Sequence, residues 1–161
     1  MKRYQENRER ELQRTKKYIS AIYRNWYGEK PRKIFGEGIA IAAEKLAIGK
    51  ILPKEGFKGI LWAHSLKSTN SVSPAVSSFW MFDAFAFRDG KKCAIQITTS
   101  PFRQIRNHAA VSAFLKFFGL TLYMCTVNPD MKHYYLSKYD AADVPHTIMM
   151  TAGRVRRLRP I

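Results

Sequence analysis

The stretch from Trp80 to Ser100, WMFDAFAFRDGKKCAIQITTS, constrains the fold of this chain more than any other. Phenylalanines and alanines between residues 82 and 87 form one apolar strand, and Asp89-Gly90 is typical of a type I′ turn. Residues 92–98 then form the returning strand. The pattern predicts a β-hairpin, and a hairpin with apolar residues of this size requires a larger sheet to pack in.

Asp83 is the unusual residue of this hairpin, because it places a carboxylate inside an aromatic strand. An isolated buried charge costs several kcal/mol, so a metal ion, a hydrogen-bond partner or a position at the strand end has to compensate it. On the returning strand, Gln96 and Thr98 share one face because strand side chains alternate with a period of two. The hairpin therefore brings one acid and one polar pair to the same sheet.

The remaining segments predict helices and strands in a definite order. Residues 2–27 indicate a long basic helix with Leu12, Ile19 and Trp26 at a spacing of seven, and a more apolar helix follows at 36–52. The other predicted elements are a first strand at 59–64, a Ser- and Pro-containing loop at 65–78, and, after the hairpin, a helix at 103–118, a strand at 120–127, a turn at 128–130 and a strand at 132–139.

This order predicts an α/β fold with a mixed central sheet flanked by helices. We expect three parts: a basic N-terminal helical arm at 1–33, an α/β domain at 34–152 and a basic tail at 153–161. The tail carries four arginines, so we expect it to be solvated rather than packed.

The charge of the chain favours a nucleic-acid partner. Lys and Arg total 28 against 12 Asp and Glu, which gives a net charge of +16, and such a field concentrates polyanions. No apolar run approaches the length of a membrane span, and the N-terminus lacks the apolar core of a signal peptide. We therefore expect a cytoplasmic protein of a prokaryotic cell, with an archaeal cell as one candidate, and no membrane partner. Cys93 and Cys125 both fall in apolar strand patterns, which favours buried free thiols.

The hairpin and its flanking elements resemble the active-site region of the PD-(D/E)xK, or restriction-endonuclease-like, nuclease superfamily, and within it the archaeal Holliday-junction resolvases and related archaeal virus or plasmid nucleases. The similarity covers roughly residues 36–139, and it implies an αβββαβ core, here with an extra basic N-terminal helix. In that family an Asp on the second strand and a Glu-x-Lys on the third bind a divalent metal ion. The matching positions here are Asp83 and Gln96-Ile97-Thr98, so an amide replaces the second acid and a hydroxyl replaces the lysine.

The resemblance implies a set of site residues. Asp83, Gln96, the backbone carbonyl of Ile97 and a helical glutamate are the expected ligands of Mg²⁺ or Mn²⁺, with Glu44 preferred over Glu37 as that acid, and with Asp83, Gln96, Thr98 and Glu44 as the catalytic set. Glu44 is equally compatible with an exposed charge that pairs with a nearby lysine. A threonine cannot perform the role of a lysine, because its hydroxyl carries no charge to stabilise the transition state.

Basic and polar residues around the hairpin are candidates for nucleic-acid binding. Gln104 and His108 lie four apart on the predicted helix at 103–118 and would share one of its faces. The full candidate set is Lys91, Lys92, Arg103, Arg106, His108 and Lys116. These residues are at least as suited to positioning phosphates as to catalysis.

Three functions remain open from the sequence. The leading one is a divalent-metal-dependent DNA endonuclease, with branched or single-stranded DNA as candidate substrates. The alternative is a catalytically degraded nuclease-fold protein that only binds nucleic acid. An RNA-binding protein is a third reading, served by the charge and by tyrosines of the first helix, although those are more easily explained as packing or dimer contacts. We expect a homodimer, with Phe114, Phe117 and Phe118 as a possible interface, and no small-molecule cofactor.

Overall fold

The structure is a computed structural model that describes residues 2–27, 37–63 and 82–161. The predicted loop at 65–78 lies outside these ranges, and so does His64 at the end of the predicted first strand. None of the described helices is long and apolar enough to cross a membrane.

A sheet of six strands forms the centre of the molecule. Its strands are β1 (Lys58–Trp62), β2 (Ala84–Arg88), β3 (Lys91–Thr98), β5 (Thr121–Val127), β6 (His133–Tyr139) and β8 (Arg159–Pro160), in the order β1-β2-β3-β5-β6-β8. The pair β3/β5 is parallel and the other pairs are antiparallel. A separate pair consists of β4 (Phe102–Gln104) and β7 (Thr147–Met149).

The helices occupy both faces of this sheet. They are α1 (Lys2–Tyr27), α2 (Glu37–Leu46), a π-helical stretch Ala47–Ile51 that runs into the short α3 (Leu52–Lys54), α4 (His108–Phe118) and the short α5 (Ala152–Val155). The α/β class and the mixed sheet flanked by helices are therefore confirmed, and so are the long first helix and the hairpin. Asp89 and Gly90 have φ values of +51° and +72°, which are those of a type I′ turn.

Alternation along the strands builds an apolar layer on each face. On the α2 face, Ile95 and Ile97 pack with Ala43, Ala47 and Ile51. On the α4 face, Ala94 packs with Phe82, Val111, Leu115 and Leu122. The two thiols, Cys93 and Cys125, are buried and free as expected, and burial raises the pKa of Cys125 to about 12.

Helix α1 is attached to the body only through its C-terminal part. Ile22 and Trp26 are buried, and the Trp26 indole N–H donates to the carbonyl of Thr99 at 2.9 Å. Residues 5–18 are exposed throughout. The first four turns of α1 are therefore a basic extension, held by an anchor worth roughly 1.5–3 kcal/mol per buried side chain.

The structure corrects the predicted helix at 103–118. Its first residues instead form β4, which pairs antiparallel with β7 so that Arg103 faces Ile148 in the register, and the helix begins only at His108. Asn107 has a left-handed backbone conformation with φ +52°, so the chain changes direction between β4 and α4. Gln104 and His108 consequently do not share a helix face. The tertiary pairing with β7 overrides the local helical pattern.

The C-terminal tail is the second correction, because its backbone pairs with the sheet although most of its side chains stay exposed. Strand β8 pairs with β6, and the amide of Ile161 donates to the carbonyl of Lys132 at 2.9 Å. Arg159 donates to Glu55 at 2.7 Å, so the charge that argued against packing is neutralised by an acid on another element.

Glu55 is the centre of a closed charge network on the α2 face of the sheet, where Phe57 and Tyr134 are buried. Its side chain is 9% exposed, accepts a hydrogen bond from the Tyr134 hydroxyl and forms ion pairs with Arg159 and with Arg88. The Arg88 guanidinium lies 5.0 Å from the ring centroid of Phe57. Burial opposes the charge of Glu55, but the hydrogen bonds from Tyr134 and Arg159 and the nearby cations lower the pKa of its carboxyl overall. We refer to Glu55, Arg88, Tyr134 and Arg159 as the Glu55 network.

Candidate functional site

A cleft of about 540 Å³ opens where β3 ends. Its walls include the apolar side chains of Phe82, Val111 and Leu122. The polar residues that line it are Gln96, Ser100, Arg103, Gln104, Arg106 and Asn107. A lining of apolar side chains with a few polar groups is typical of ligand-binding pockets.

Local hydrogen bonds fix the turn that shapes this cleft. The amide of Ser100 donates to the Thr98 hydroxyl at 3.1 Å, and the Ser100 hydroxyl donates to the carbonyl of Phe102 at 2.6 Å. The amide of Met150 donates to the carbonyl of Pro101 at 2.8 Å, which ties the turn to the chain beyond β7. The cleft is therefore set by the fold and does not depend on a bound ligand for its shape.

The arginines of the cleft give it a positive charge, which the described part of the chain does not pair. Arg103 and Arg106 are both exposed, and none of the ion pairs among residues 2–27, 37–63 and 82–161 involves either of them. Two guanidinium groups on one rim can bind phosphate oxygens in a bidentate manner.

His108 lies at the start of α4 beside these arginines. Its Nε2 hydrogen-bonds to the carbonyl of Val144, and its ring stacks on His146 with a centroid distance of 3.8 Å. Through these contacts, His108 connects α4 to the segment before β7. Its predicted role in nucleic-acid binding stays a prediction.

Asp83 lies at the end of the β2 strand, as one of the explanations for its charge required. Its carboxylate Oδ2 accepts a hydrogen bond from the amide of Ile97 at 2.7 Å, and its own amide donates to the carbonyl of Ile95 at 3.0 Å. The Asp83 carboxylate is thus adjacent to the peptide that joins Gln96 and Ile97. A carboxylate is a hard oxygen donor of the kind that binds a divalent cation.

The two polar residues of β3 have different surroundings. Gln96 is partly exposed and lines the cleft. Thr98 is 8% exposed, and its hydroxyl accepts the Ser100 amide. Thr98 therefore serves the turn, whereas Gln96 is available to a ligand.

Glu44 is separated from Gln96 by the sheet. Its Oε2 accepts a hydrogen bond from the Trp62 indole N–H at 2.8 Å, and Trp62 is paired with Ala84, the residue after Asp83. Helix α2 packs on the face of Ile95 and Ile97, whereas the Gln96 side chain lies on the α4 face. The predicted ligand set is consequently divided between two faces. The side chain of Glu37 lies outside the described part of the chain.

A divalent ion bound near Asp83 would need several oxygen ligands close together. Within the described ranges, no three His, Cys, Asp or Glu side chains are close enough to hold one. Asp83 and Gln96 nevertheless supply a carboxylate and an amide oxygen at neighbouring positions, and both are hard oxygen donors of the kind that Mg²⁺ prefers. By their donor chemistry, Asp83 and Gln96 could each contribute one oxygen ligand to such an ion, whereas Glu44 lies on the other face of the sheet.

The basic candidates fall into separate places. Lys91 and Lys92 begin β3 at the opposite end from the cleft. The extended strand from Lys91 to Gln96 rises by about 17 Å. Lys116 lies in the last turn of α4 and is exposed. Of the six candidates, only Arg103 and Arg106 line the cleft of about 540 Å³.

Several cleft residues escaped the sequence reasoning, namely Ser100, Phe102, Gln104 in its strand and Asn107. The Ser100-Pro101 step directly after a strand was an available indication of a turn. The pairing of β4 with β7 depends on residues more than forty positions apart and has no local indication in the sequence.

No protein-family model matches the chain, and no similar sequence is found among curated proteins.

Proposed function

We propose that this protein binds DNA in the cleft at the end of β3 and hydrolyses a phosphodiester bond with a divalent metal ion held at Asp83. The observation that carries the proposal is the contact between the Asp83 carboxylate and the Ile97 amide, 2.7 Å long, because it brings an acid next to the cleft residue Gln96. The arginines of the same cleft supply the charge that a phosphate backbone requires.

The order of elements supports the proposal. Helix α2 is followed by the antiparallel strands β1, β2 and β3, then by α4 and by β5 parallel to β3. The PD-(D/E)xK resemblance implies the same order in its αβββαβ core. Asp83 directly precedes β2, and Gln96 and Thr98 belong to β3, which supports the proposal because the resemblance implies its site residues at the start of the second strand and on the third.

Each residue has a distinct part in the proposed reaction. Asp83 and the Gln96 amide oxygen would hold the ion, and the carbonyl of Ile97 is a third oxygen of the kind that the resemblance assigns. When bound, the ion supplies charge neutralisation and a water of lowered pKa. Arg103 and Arg106 orient the phosphodiester and stabilise negative charge that develops on it.

A pair of matched variants tests the proposal. Asp83→Asn keeps an oxygen that accepts the Ile97 amide but removes the charge of the metal ligand. Mutation of a residue that hydrogen-bonds to a metal ligand typically lowers metal affinity or activity roughly 10–100-fold. Loss of a direct ligand should therefore lower Mg²⁺- or Mn²⁺-dependent plasmid nicking at least as much. DNA affinity should persist.

The control is Asp89→Asn, which removes the same charge from the other end of the same hairpin. Asn is well tolerated at the positive φ of this turn position, so folding and cleavage should both be retained. An Asp83→Asn variant that cuts DNA as fast as the wild type contradicts the proposal.

DNA binding without cleavage is the second candidate, and the surroundings of Thr98 favour it. At the position of the family lysine, this side chain is 8% exposed and holds the Ser100 amide, so it supplies no charge to a reaction. A wild-type protein that binds DNA but cuts no linear, branched or single-stranded substrate in Mg²⁺ or Mn²⁺ would establish this candidate in place of the first.

A further inference from the structure

A row of aromatic rings leads from α1 to the cleft. Tyr23 and Tyr27 stack with an interplanar angle of 13° and a centroid distance of 5.7 Å, and Tyr23 contacts the Phe102 ring at 5.4 Å. Phe102 is partly exposed and lines the cleft. The buried Trp26, bonded to the Thr99 carbonyl, fixes the end of α1 that carries these tyrosines. The Phe102 ring, which contacts Tyr23, is thus part of the wall of a positively charged cleft.

The other side chains of the cleft have the chemistry of nucleobase and phosphate recognition. Gln104 and Asn107 each carry an amide that both donates and accepts hydrogen bonds, as the edge of a base does. Arg103 and Arg106 lie on the same rim and suit the phosphates on either side of that base. The volume of about 540 Å³ falls within the range of pockets that enclose a small molecule.

From this arrangement we infer that the cleft binds an unpaired nucleobase of single-stranded DNA against Phe102. The inference rests on the proposed function and adds its substrate class. Bases in a duplex have their faces covered by their neighbours, so only an unpaired or extruded base can place its face on Phe102. Phe102 provides the stacking surface, and the amide side chains contact the edge of the base.

The test uses fluorescence anisotropy with three probes: a short labelled oligothymidylate, a strand of equal length made of abasic sites, and a duplex of equal length. Wild-type protein should bind the oligothymidylate more tightly than either of the others. Phe102→Leu keeps the apolar volume and removes the aromatic face, so it should weaken oligothymidylate binding on the order of ten-fold. Its affinity for the abasic strand should stay at the wild-type value.

Two further variants complete the experiment. Phe102→Tyr retains the ring and should retain wild-type affinity. Phe117→Leu removes a phenylalanine that is 83% exposed on α4 and does not line the cleft, and it should change nothing.

The inference and the proposed function fail in different ways. If wild type binds the abasic strand or the duplex as tightly as oligothymidylate, or if Phe102→Leu binds it normally, the base site is overturned while DNA binding stands. The comparison among wild-type probes decides this even if Phe102→Leu does not fold. If the wild type binds none of the three probes, both are overturned.

Discussion

Two pairs of arginines in this molecule are held in opposite ways. On the α2 face of the sheet, Arg88 and Arg159 are paired with Glu55, whose side chain is 9% exposed, and the Arg159 pair helps to hold β8 on the sheet. Where β3 finishes, Arg103 and Arg106 are exposed on the rim of a cleft and enter none of the ion pairs in the described ranges. Charge of the first kind contributes to folding, and charge of the second kind is available to a polyanion.

The comparison predicts its largest effect on stability at the Glu55 network. Glu55→Ala leaves the Tyr134 hydroxyl and the Arg88 guanidinium without their acceptor, so the free energy of unfolding should fall by about 2–4 kcal/mol. Urea denaturation followed by circular dichroism measures this change. Glu9→Ala, which removes an acid from the exposed part of α1, is the control and should lie near wild type. A Glu55→Ala protein as stable as that control would remove the distinction between the paired and the exposed arginines.

Thr98→Lys sharpens the comparison at the cleft end. It places an ammonium group at a site that is 8% exposed and breaks the hydrogen bond from the Ser100 amide, so we expect a loss of about 2 kcal/mol. Thr98→Val removes only the hydroxyl and should cost about 1 kcal/mol. A Thr98→Lys protein with wild-type stability and raised nicking activity would show that the position accommodates a catalytic lysine after all.

The pH dependence of stability should report the Glu55 network specifically. The pKa of Glu55 is lowered in the folded state from its ordinary value of 4.5. Its contribution is therefore fully present above the unfolded-state pKa and is lost as the pH falls through the folded-state pKa. Unfolding free energies measured on descending below pH 5 should fall more steeply for wild type than for Glu55→Gln. Parallel curves would contradict the assignment of a stabilising charge to this residue.

The exposed part of α1 should show the smallest effect on stability. Deleting residues 2–16 leaves Ile22 and Trp26 in place, so the unfolding free energy should change by less than about 0.5 kcal/mol. Because that segment is basic, the slope of log K against log salt for DNA binding should become less negative. An unfolded truncation, or an unchanged slope, would show that these residues pack against another chain and do not bind DNA.

The sequence was sufficient for elements whose local pattern and tertiary role agree. Helix α1, the hairpin with its Asp89-Gly90 turn and the buried cysteines followed from periodicity and turn chemistry alone. It was insufficient where a distant partner decides the outcome, as with β4 pairing to β7 and Arg159 pairing to Glu55. Local patterns do not contain those partners.

The candidate site divides along the same line. Asp83 at a strand end beside the Gln96-Ile97 peptide follows from the hairpin register, and the structure has this arrangement. Glu44 could not be assigned to a face of the sheet from the sequence, because the path between α2 and β2 determines it. Phe102 and Asn107 line the cleft because β4 pairs with β7, and the local sequence does not indicate that pairing.

The salt dependence of binding to single-stranded DNA tests the central claim most directly, in two double variants of equal charge. Arg103→Ala with Arg106→Ala removes two cations from the cleft, and Lys91→Ala with Lys92→Ala removes two from the opposite end of β3. Each phosphate contact on a single strand contributes about −0.7 to the slope of log K against log salt, so the arginine variant should have a slope less negative by about 1.4. The lysine variant should keep the wild-type slope. Equal slopes in the two variants, or a larger change in the lysine variant, would contradict the assignment of DNA binding to the cleft.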